Sequence, residues 1–582
     1  MKENTELTST YFILKNLREK ANNCRFKVLE HGTGWKEVSY GDFLDFASMI
    51  ANYFTKTGIS HGQKVAIFAN TRVEWAYADL AIRFCHAVFV PVYFSNTPSQ
   101  AAYIINHSDS EILLTELTLM PKVFKMWKEL SGVKKVILFD KNLALEEELD
   151  RFNQNNPEKL TLQQVQDKLV SLDEVYASGD EIRQAKPLDL DVAVQAIVPS
   201  DLAAILYTSG TTGMPKGVML THENLEKNAE DWIEVLGSLM PEKRVDLLWL
   251  PTSHIFGWGE LGLGNVLDFV TYFTNPRDVL SLMPSVKPTI FMSVPAYWEK
   301  LWFDSITAST KRDEQFQKLR QITGGQLAFC LSGGAGLKRE VKKFFYEAGL
   351  LIIEGYGLTE CSPTLTMNRK SDFDFDTVGK PFPRVQLTLA QEDSEILAKG
   401  PNVFQGYYKN QEATKETFDN DGWFKTGDIG EFTDRGLLKI KGRKKEIIVT
   451  SGGKNIAPQL IEAKFKEDPY IEQIVLYGNE KKYLTALVTL KEYAVYDYAK
   501  SQGLLFNSYK DLTAAPEIHQ LIQTIIDLVN QDLSSFETIK KFYISESHLT
   551  VEGGFLTPSF KLKRNVVYER FKRELDGLYE TS

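Results

Sequence analysis

One run of twelve residues constrains this chain more than any other stretch: Tyr207-Thr208-Ser209-Gly210-Thr211-Thr212-Gly213-Met214-Pro215-Lys216-Gly217-Val218. It leaves an apolar segment, Leu202 to Leu206, that reads as a buried strand. The loop that follows is made of glycines, hydroxyl side chains and a lysine. Glycines let the backbone curl so that several N–H groups point at one anion. The Thr and Ser hydroxyls add donors, and Lys216 adds a positive charge suited to a polyphosphate. The G-x-x-x-x-G-K-[ST] spacing of a Walker A loop is absent.

The segments around this loop alternate between two periodicities. Phe43, Phe46, Ala47, Ile50, Tyr53 and Phe54 recur at helical spacing, and Gly58 offers a stop. Val65–Ala69, Val88–Val92, Ile112–Leu114 and Val136–Phe139 read as short buried strands, with a second helix at Asp79–Cys85. Further strands are expected at Leu247–Leu250, Thr289–Val294, Leu327–Leu331 and Leu351–Glu354. Strands separated by helices imply an α/β fold with parallel sheets covered on both faces. In such sheets ligands sit at the carboxyl ends of the strands, which is where the glycine-bearing loops of this chain fall.

Three stretches depart from the rhythm. Residues 142–184 are rich in Glu, Asp, Gln and Lys and are expected as a surface insertion of exposed helices. Lys439, Lys441, Arg443, Lys444 and Lys445 crowd together after Gly436, which fits an exposed linker. The remainder is long enough for a small α+β domain, so two domains are expected, 1–441 and 442–582. A length of 582 residues demands such a division.

The net charge of -10 argues against a nucleic-acid-binding surface. Cys24, Cys85, Cys330 and Cys361 form no C-x-x-C pair and read as buried apolar residues of a reducing compartment. No apolar stretch has transmembrane length and Met1–Leu17 has no signal-peptide core, so a cytoplasmic location is expected. Peripheral contact with the inner membrane surface stays open, and the sequence fixes no oligomeric state.

More motifs follow the first in order. They are Ser332-Gly333-Gly334-Ala335-Gly336-Leu337, then Glu354-Gly355-Tyr356-Gly357-Leu358-Thr359-Glu360, then Trp423-Phe424-Lys425-Thr426-Gly427-Asp428. Gly442-Arg443-Lys444-Lys445, Ser451-Gly452-Gly453 and Leu556-Thr557-Pro558-Ser559-Phe560-Lys561-Leu562-Lys563-Arg564 complete the set. Singly each is weak. In this order, across nearly the whole chain, they resemble the adenylate-forming enzymes, the superfamily of acyl-CoA synthetases, luciferases and peptide-synthetase adenylation domains. The C-terminal lysine motif is similar to that of the long-chain acyl-CoA synthetase branch.

The resemblance implies a large N-terminal α/β domain, a mobile C-terminal domain, and ATP, Mg²⁺ and coenzyme A as reaction partners. It assigns ATP and AMP binding to the loop Thr208, Ser209, Gly210, Thr211, Thr212, Gly213 and Lys216, and to Gly334 and Ala335 beside adenine. Glu354, Gly355, Tyr356, Gly357 and Thr359 would form the loop whose tyrosine packs on the base. Asp428 and Arg443 would hold the ribose, and Glu360 with the Thr208 hydroxyl would hold magnesium, as hard oxygen ligands do. Lys561 is implied as the catalytic cation between substrate carboxylate and α-phosphate. Lys445 matches the hinge, and Ser451, Gly452 and Gly453 match the loop lining a pantetheine tunnel.

The chemistry fits those roles. A carboxylate is a poor electrophile until it gains a good leaving group, and its attack on the α-phosphate brings two anions together. Cations must neutralise the developing charge. The implied acid is a medium- to long-chain fatty acid, on Leu250-Pro251-Thr252-Ser253-His254-Ile255-Phe256-Gly257-Trp258 and on Val294-Pro295-Ala296-Tyr297-Trp298-Glu299-Lys300. Ala296 departs from the long-chain branch, which often carries arginine there. For His254 both an active role and a packed core histidine stand, and for Trp258 both a tunnel gate and plain packing. The acceptor is coenzyme A or, alternatively, a separate acyl-carrier protein; a non-catalytic nucleotide-binding protein is the rival outside enzymology.

Overall fold

The computed structural model describes residues 8–30, 34–141, 144–208, 214–465, 468–551, 553–557 and 561–580. Two large sheets dominate. The first has seven strands, in the order Leu169–Ser171, Lys135–Leu138, Ser110–Thr115, Lys64–Phe68, Val88–Val92, Leu202–Thr208 and Lys216–Thr221. Every neighbouring pair is parallel except the last, an antiparallel hairpin. Val88–Val92 is buried at each residue, as a strand covered on both faces must be.

The second sheet has nine strands. Its parallel middle contains Ile352–Gly357, Phe329–Ser332, Ile290–Ser293, Val245–Leu248, Val270–Phe273 and Cys24–Glu30, and antiparallel strands close both edges. The expected strands therefore form, with ends displaced by up to three residues. One core lies between the two sheets and takes Val65 and Ile67 from one face of their strand. A second core covers the outer face, with Ala66 and Phe68. The two-residue period of the strand feeds both.

The helix Tyr40–Lys56 starts at a capping box formed by Ser39 and Asp42 and buries Phe43, Ala47, Ile50 and Phe54. Part of the 142–184 stretch is packed against it. The stretch does carry partly exposed helices, but it is not confined to the surface. Leu169–Ser171 pairs parallel with Lys135–Leu138, and the helix Leu172–Ala185 lies on Tyr40–Lys56. At the crossing, a Cβ on Gly179 would stand 2.0 Å from the Met49 carbonyl oxygen, so only glycine permits the approach. Val175 and Leu172 supply the apolar anchor that the charged composition concealed.

The basic stretch after Gly436 is likewise a strand. Leu438–Arg443 is the edge of a four-stranded antiparallel sheet with Gln386–Leu389, Glu395–Lys399 and Phe424–Phe432. Leu438 is buried, while Lys441 pairs with Glu431 at 2.7 Å across the strands. Charged side chains on an edge strand read as a linker when only composition is counted.

Beyond it, Ile471–Tyr477, Leu484–Leu490 and Ile539–Ile544 form a three-stranded sheet whose central strand is wholly buried. Helices including Pro516–Asn530 cover one face, and Arg564–Arg570 with Lys572–Glu580 cover the other. Cys85, Cys330 and Cys361 are buried and Cys24 half-buried, all as free thiols. Burial pushes the Cys85 and Cys330 thiols up to about 12. Among the described residues no helix is long and apolar enough to cross a membrane.

Candidate active site

Thr208 ends the last parallel strand of the seven-stranded sheet, and Lys216 begins its antiparallel partner, directly opposite. Ser209, Gly210, Thr211, Thr212 and Gly213 lie outside the described residues. Lys216 Nζ sits 5.0 Å from the centre of the Tyr407 ring, over its face. The Tyr407 hydroxyl donates to Glu360 Oε1 at 3.0 Å. A short 3₁₀ turn, Thr359–Cys361, places Glu360 at the carboxyl end of Ile352–Gly357.

Glu354 does not face that site. Its buried carboxylate is ion-paired with Lys342 and accepts the Leu337 N–H at 2.8 Å. Desolvation raises its pKa while Lys342 opposes the rise. A carboxylate so committed shapes the Gly334–Leu337 loop from below. Gly334 has φ +84, and Gly334 and Ala335 are exposed, open to a ligand. Gly357 is needed for space: a Cβ there would lie 1.7 Å from the Pro363 carbonyl oxygen.

Tyr356 donates its hydroxyl to Asp428 Oδ2 at 2.7 Å. The other oxygen of Asp428 receives Arg443 Nε at 2.9 Å. Asp428 and Arg443 are register partners on adjacent strands, so the sheet itself sets the pair. Burial raises the Asp428 pKa, with Arg443 as the main opposing influence. Buried Glu395 reinforces the arrangement, accepting the Gly427 N–H at 2.9 Å and binding Lys444 at 2.7 Å.

Lys561 comes from the far end of the chain, where Thr557 and Lys561 exchange two hydrogen bonds of 2.7 and 3.0 Å. Pro558, Ser559 and Phe560 lie outside the described residues. Lys561 keeps solvent access, yet the protein around it is dense enough for desolvation to lower its pKa. Arg443 lowers it further, while Asp428, Glu360 and Glu446 act in the other direction. His254, too, is within electrostatic reach. Residues 254, 360, 428, 443 and 561 thus converge from five separate stretches.

His254 caps the helix Ile255–Val266, its Nδ1 accepting the Phe256 N–H at 3.2 Å. Burial first, and Lys561 second, depress its pKa to about 4, so the ring is neutral near pH 7. Trp258 is buried one turn on, packed on Phe89 with Arg83 over its ring at 5.3 Å. Lys445 is exposed in the short 3₁₀ turn Lys444–Glu446 that leaves the four-stranded sheet. Ser451, Gly452 and Gly453 form an exposed turn, with Gly453 at φ +73. Tyr407 and Glu395 escaped the sequence reading. The run Gly406-Tyr407-Tyr408 was a usable signal for the first; nothing local marked Glu395.

The chain is a two-part α/β protein with glycine-bearing loops at the carboxyl ends of its strands. The AMP-binding enzyme model matches residues 17–408, and the AMP-binding enzyme C-terminal domain model matches 445–582. The chain belongs to the AMP-binding enzyme family. It is 32% identical to the long-chain-fatty-acid–CoA ligase FadD15 of Mycobacterium tuberculosis, over 94% of this chain and 92% of that protein. It is 30% identical to long-chain-fatty-acid–CoA ligase 6 of Mus musculus, over 89% and 79% respectively. The adenylation domain of a carboxylate reductase from Mycobacterium chelonae superposes with a TM-score of 0.81 at 22% identity, covering 99% of this chain and 92% of that one. That likeness concerns the fold.

Proposed function

We propose that this chain is an ATP-dependent fatty acid–CoA ligase that forms an acyl-adenylate and pyrophosphate, then an acyl-CoA and AMP. The observation that carries the reading is the cluster in which Arg443 and the Tyr356 hydroxyl hold Asp428, with Lys561 within electrostatic reach of Arg443, Asp428 and Glu360. Relatives named as long-chain-fatty-acid–CoA ligases over most of their length support the substrate class.

In the first step Lys561 lies between the substrate carboxylate and the α-phosphate and offsets their repulsion. Asp428 accepts from the ribose hydroxyls while Arg443 and the Tyr356 hydroxyl hold its carboxylate in place. The Ser209–Gly213 loop and Lys216 grip the phosphates. Glu360 and Thr208 supply hard oxygen ligands suited to Mg²⁺. Among the described residues no group of three His, Cys, Asp or Glu forms a closed metal site. Such a donor set suits an ion that keeps waters and substrate phosphates as its remaining ligands. Magnesium would neutralise phosphate charge there.

The second step requires a thiol to reach the adenylate carbonyl, where Lys561 stands in the way. We assign residues 1–441 to an N-terminal domain and 442–582 to a C-terminal domain that turns about Lys445, taking Lys561 out and bringing Ser451-Gly452-Gly453 in to line the pantetheine path. His254 and Trp258 border the acyl site, where each buried methylene adds ~0.8 kcal/mol, or about fourfold in affinity. Fatty acids partition into membranes, so the proposal includes a cytoplasmic enzyme in transient contact with the inner membrane surface.

The test is pyrophosphate release from ATP and Mg²⁺ across acids from acetate to oleate, with and without coenzyme A. Release rising with chain length, with acyl-CoA formed by the purified chain alone, is the expected result. Release without thioester would transfer the reading to a carrier-protein acceptor. No release with any acid would leave either an unusual substrate or a protein that only binds nucleotide.

A further inference from the structure

We propose that Tyr407 is a positioning residue that holds the Glu360 carboxylate in register with the lysine end of the phosphate loop. The inference rests on the assignment of Glu360 to the metal–triphosphate site.

Residues 404–408 touch both sides of that site. On the Glu360 side, the Phe404 N–H donates to the Glu360 carbonyl at 2.8 Å, and the Tyr407 hydroxyl donates to its Oε1 at 3.0 Å. On the loop side, Tyr407 forms a β-bridge with Val218. The Tyr408 N–H donates to the Gly217 carbonyl at 2.7 Å, and the Met219 N–H donates to that of Gly406 at 3.1 Å. Lys216, the residue before Gly217, lies over the Tyr407 ring. The segment is therefore a staple between the strand that carries Lys216 and the turn that carries Glu360.

Its own conformation is fixed locally. The Tyr407 N–H donates to Thr414 Oγ1 at 2.9 Å. Gly406 has φ +139, and a Cβ there would lie 2.5 Å from Thr414 Cγ2, so glycine is required for the turn. A hydroxyl fixed on Oε1 leaves Oε2 as the oxygen directed to a cation. Outer partners of this kind set the orientation of metal ligands. The ring face gives Lys216 a cation–π position beside the same carboxylate.

Tyr407→Phe keeps the ring and removes only the hydroxyl. Binding of the Mn²⁺ complex of α,β-methylene ATP, which cannot release pyrophosphate, is followed by electron paramagnetic resonance, alongside binding of the metal-free nucleotide. The variant is expected to bind the metal complex on the order of 10-fold more weakly with metal-free binding unchanged. The Mg²⁺ half-saturation of pyrophosphate release should rise in parallel, and the Tm should stay as in the parent. In a Glu360→Gln background the same substitution should add nothing. Unchanged metal dependence in Tyr407→Phe, equal weakening of both nucleotide forms, or a full effect persisting beside Glu360→Gln would each overturn the proposal. Glu360→Gln alone leaving metal dependence intact would instead remove the assignment of Glu360 on which it rests.

Discussion

Asp428 and Arg443 face each other across the last two strands of the four-stranded sheet, Oδ1 and Nε 2.9 Å apart, at the point where the chain turns toward Lys445. The pair ties the carboxylate proposed to hold the ribose to a residue two positions before the proposed hinge. The Tyr356 hydroxyl on the second oxygen leaves Asp428 with two donors before any ligand arrives. Ribose hydroxyls would meet a carboxylate already fixed in direction, at a small cost in ordering.

Replacing Asp428 with alanine is expected to raise the KM for ATP roughly 10- to 100-fold, the range for a hydrogen bond to a charged group. The KM for the acid should move little. Pyrophosphate-exchange kinetics at varied ATP measure this, and an unaltered KM for ATP would remove Asp428 from the nucleotide site. The asparagine variant keeps an acceptor and should fall between the two.

Lys561→Ala should slow acyl-adenylate formation by about 10²- to 10³-fold, the loss typical of a donor aimed at developing charge. Thioester formation from a supplied acyl-adenylate should be nearly unaffected, because the lysine has no part in thiol attack. Single-turnover measurement of the two half-reactions separates these outcomes. Equal loss in both would mean that Lys561 holds the fold together and does not serve the first step.

His254 is held neutral, with its pKa near 4 against about 6.5 in an unfolded chain. The depressed value means the unfolded state takes up a proton first as pH falls. The contribution of this residue to stability is therefore present above pH 6.5 and lost on acidification toward pH 4. His254→Asn keeps an N-cap acceptor but cannot titrate. The variant's Tm should fall less steeply than the parent's between pH 6.5 and 5. Its rate–pH profile from 6 to 8 should coincide with the parent's if the ring is a neutral cap. A break near pH 6.5 that vanishes in His254→Asn would show that the histidine titrates in turnover.

The sequence made the sheets legible because their central strands are apolar on both faces, and a run such as Val88–Val92 has no other sensible place. Motif spacing singled out Asp428 and Arg443, each preceded by a glycine, Gly427 and Gly442, and the structure pairs them across adjacent strands. A carboxylate inside a motif such as that of Glu354 carries no mark of direction; the structure turns it toward Lys342, twelve residues earlier. The edge strand Leu438–Arg443 was hidden by its lysines, and the burial of one face of the helix Leu172–Ala185 by its acidic outer face. Tyr407 depends on contacts with residues 360 and 218, far away in sequence, and no local period encodes that.

The helix that begins at His254 also carries Glu260, which meets Asp246 of the nine-stranded sheet in the core. Both carboxyl groups are fully enclosed, and Arg25 lies in the same cluster, bonded to Asn265 and to Thr271, whose hydroxyl reaches Asp246 at 3.0 Å. Burial raises both carboxyl pKa values, Glu260 the more strongly, and Arg25 lies close enough to act on Asp246 electrostatically. Raised acids bind protons more tightly in the folded state than in the unfolded one. Their contribution is complete below about pH 4 and is lost as pH rises through the folded values. Glu260→Gln keeps the volume and a donor for Asp246 without the titration. The Tm of the variant minus that of the parent should increase steadily from pH 5 to pH 8. A difference that stays flat or shrinks over that range would mean that Glu260 is ionised in the folded protein and that Arg25 is its direct counter-ion.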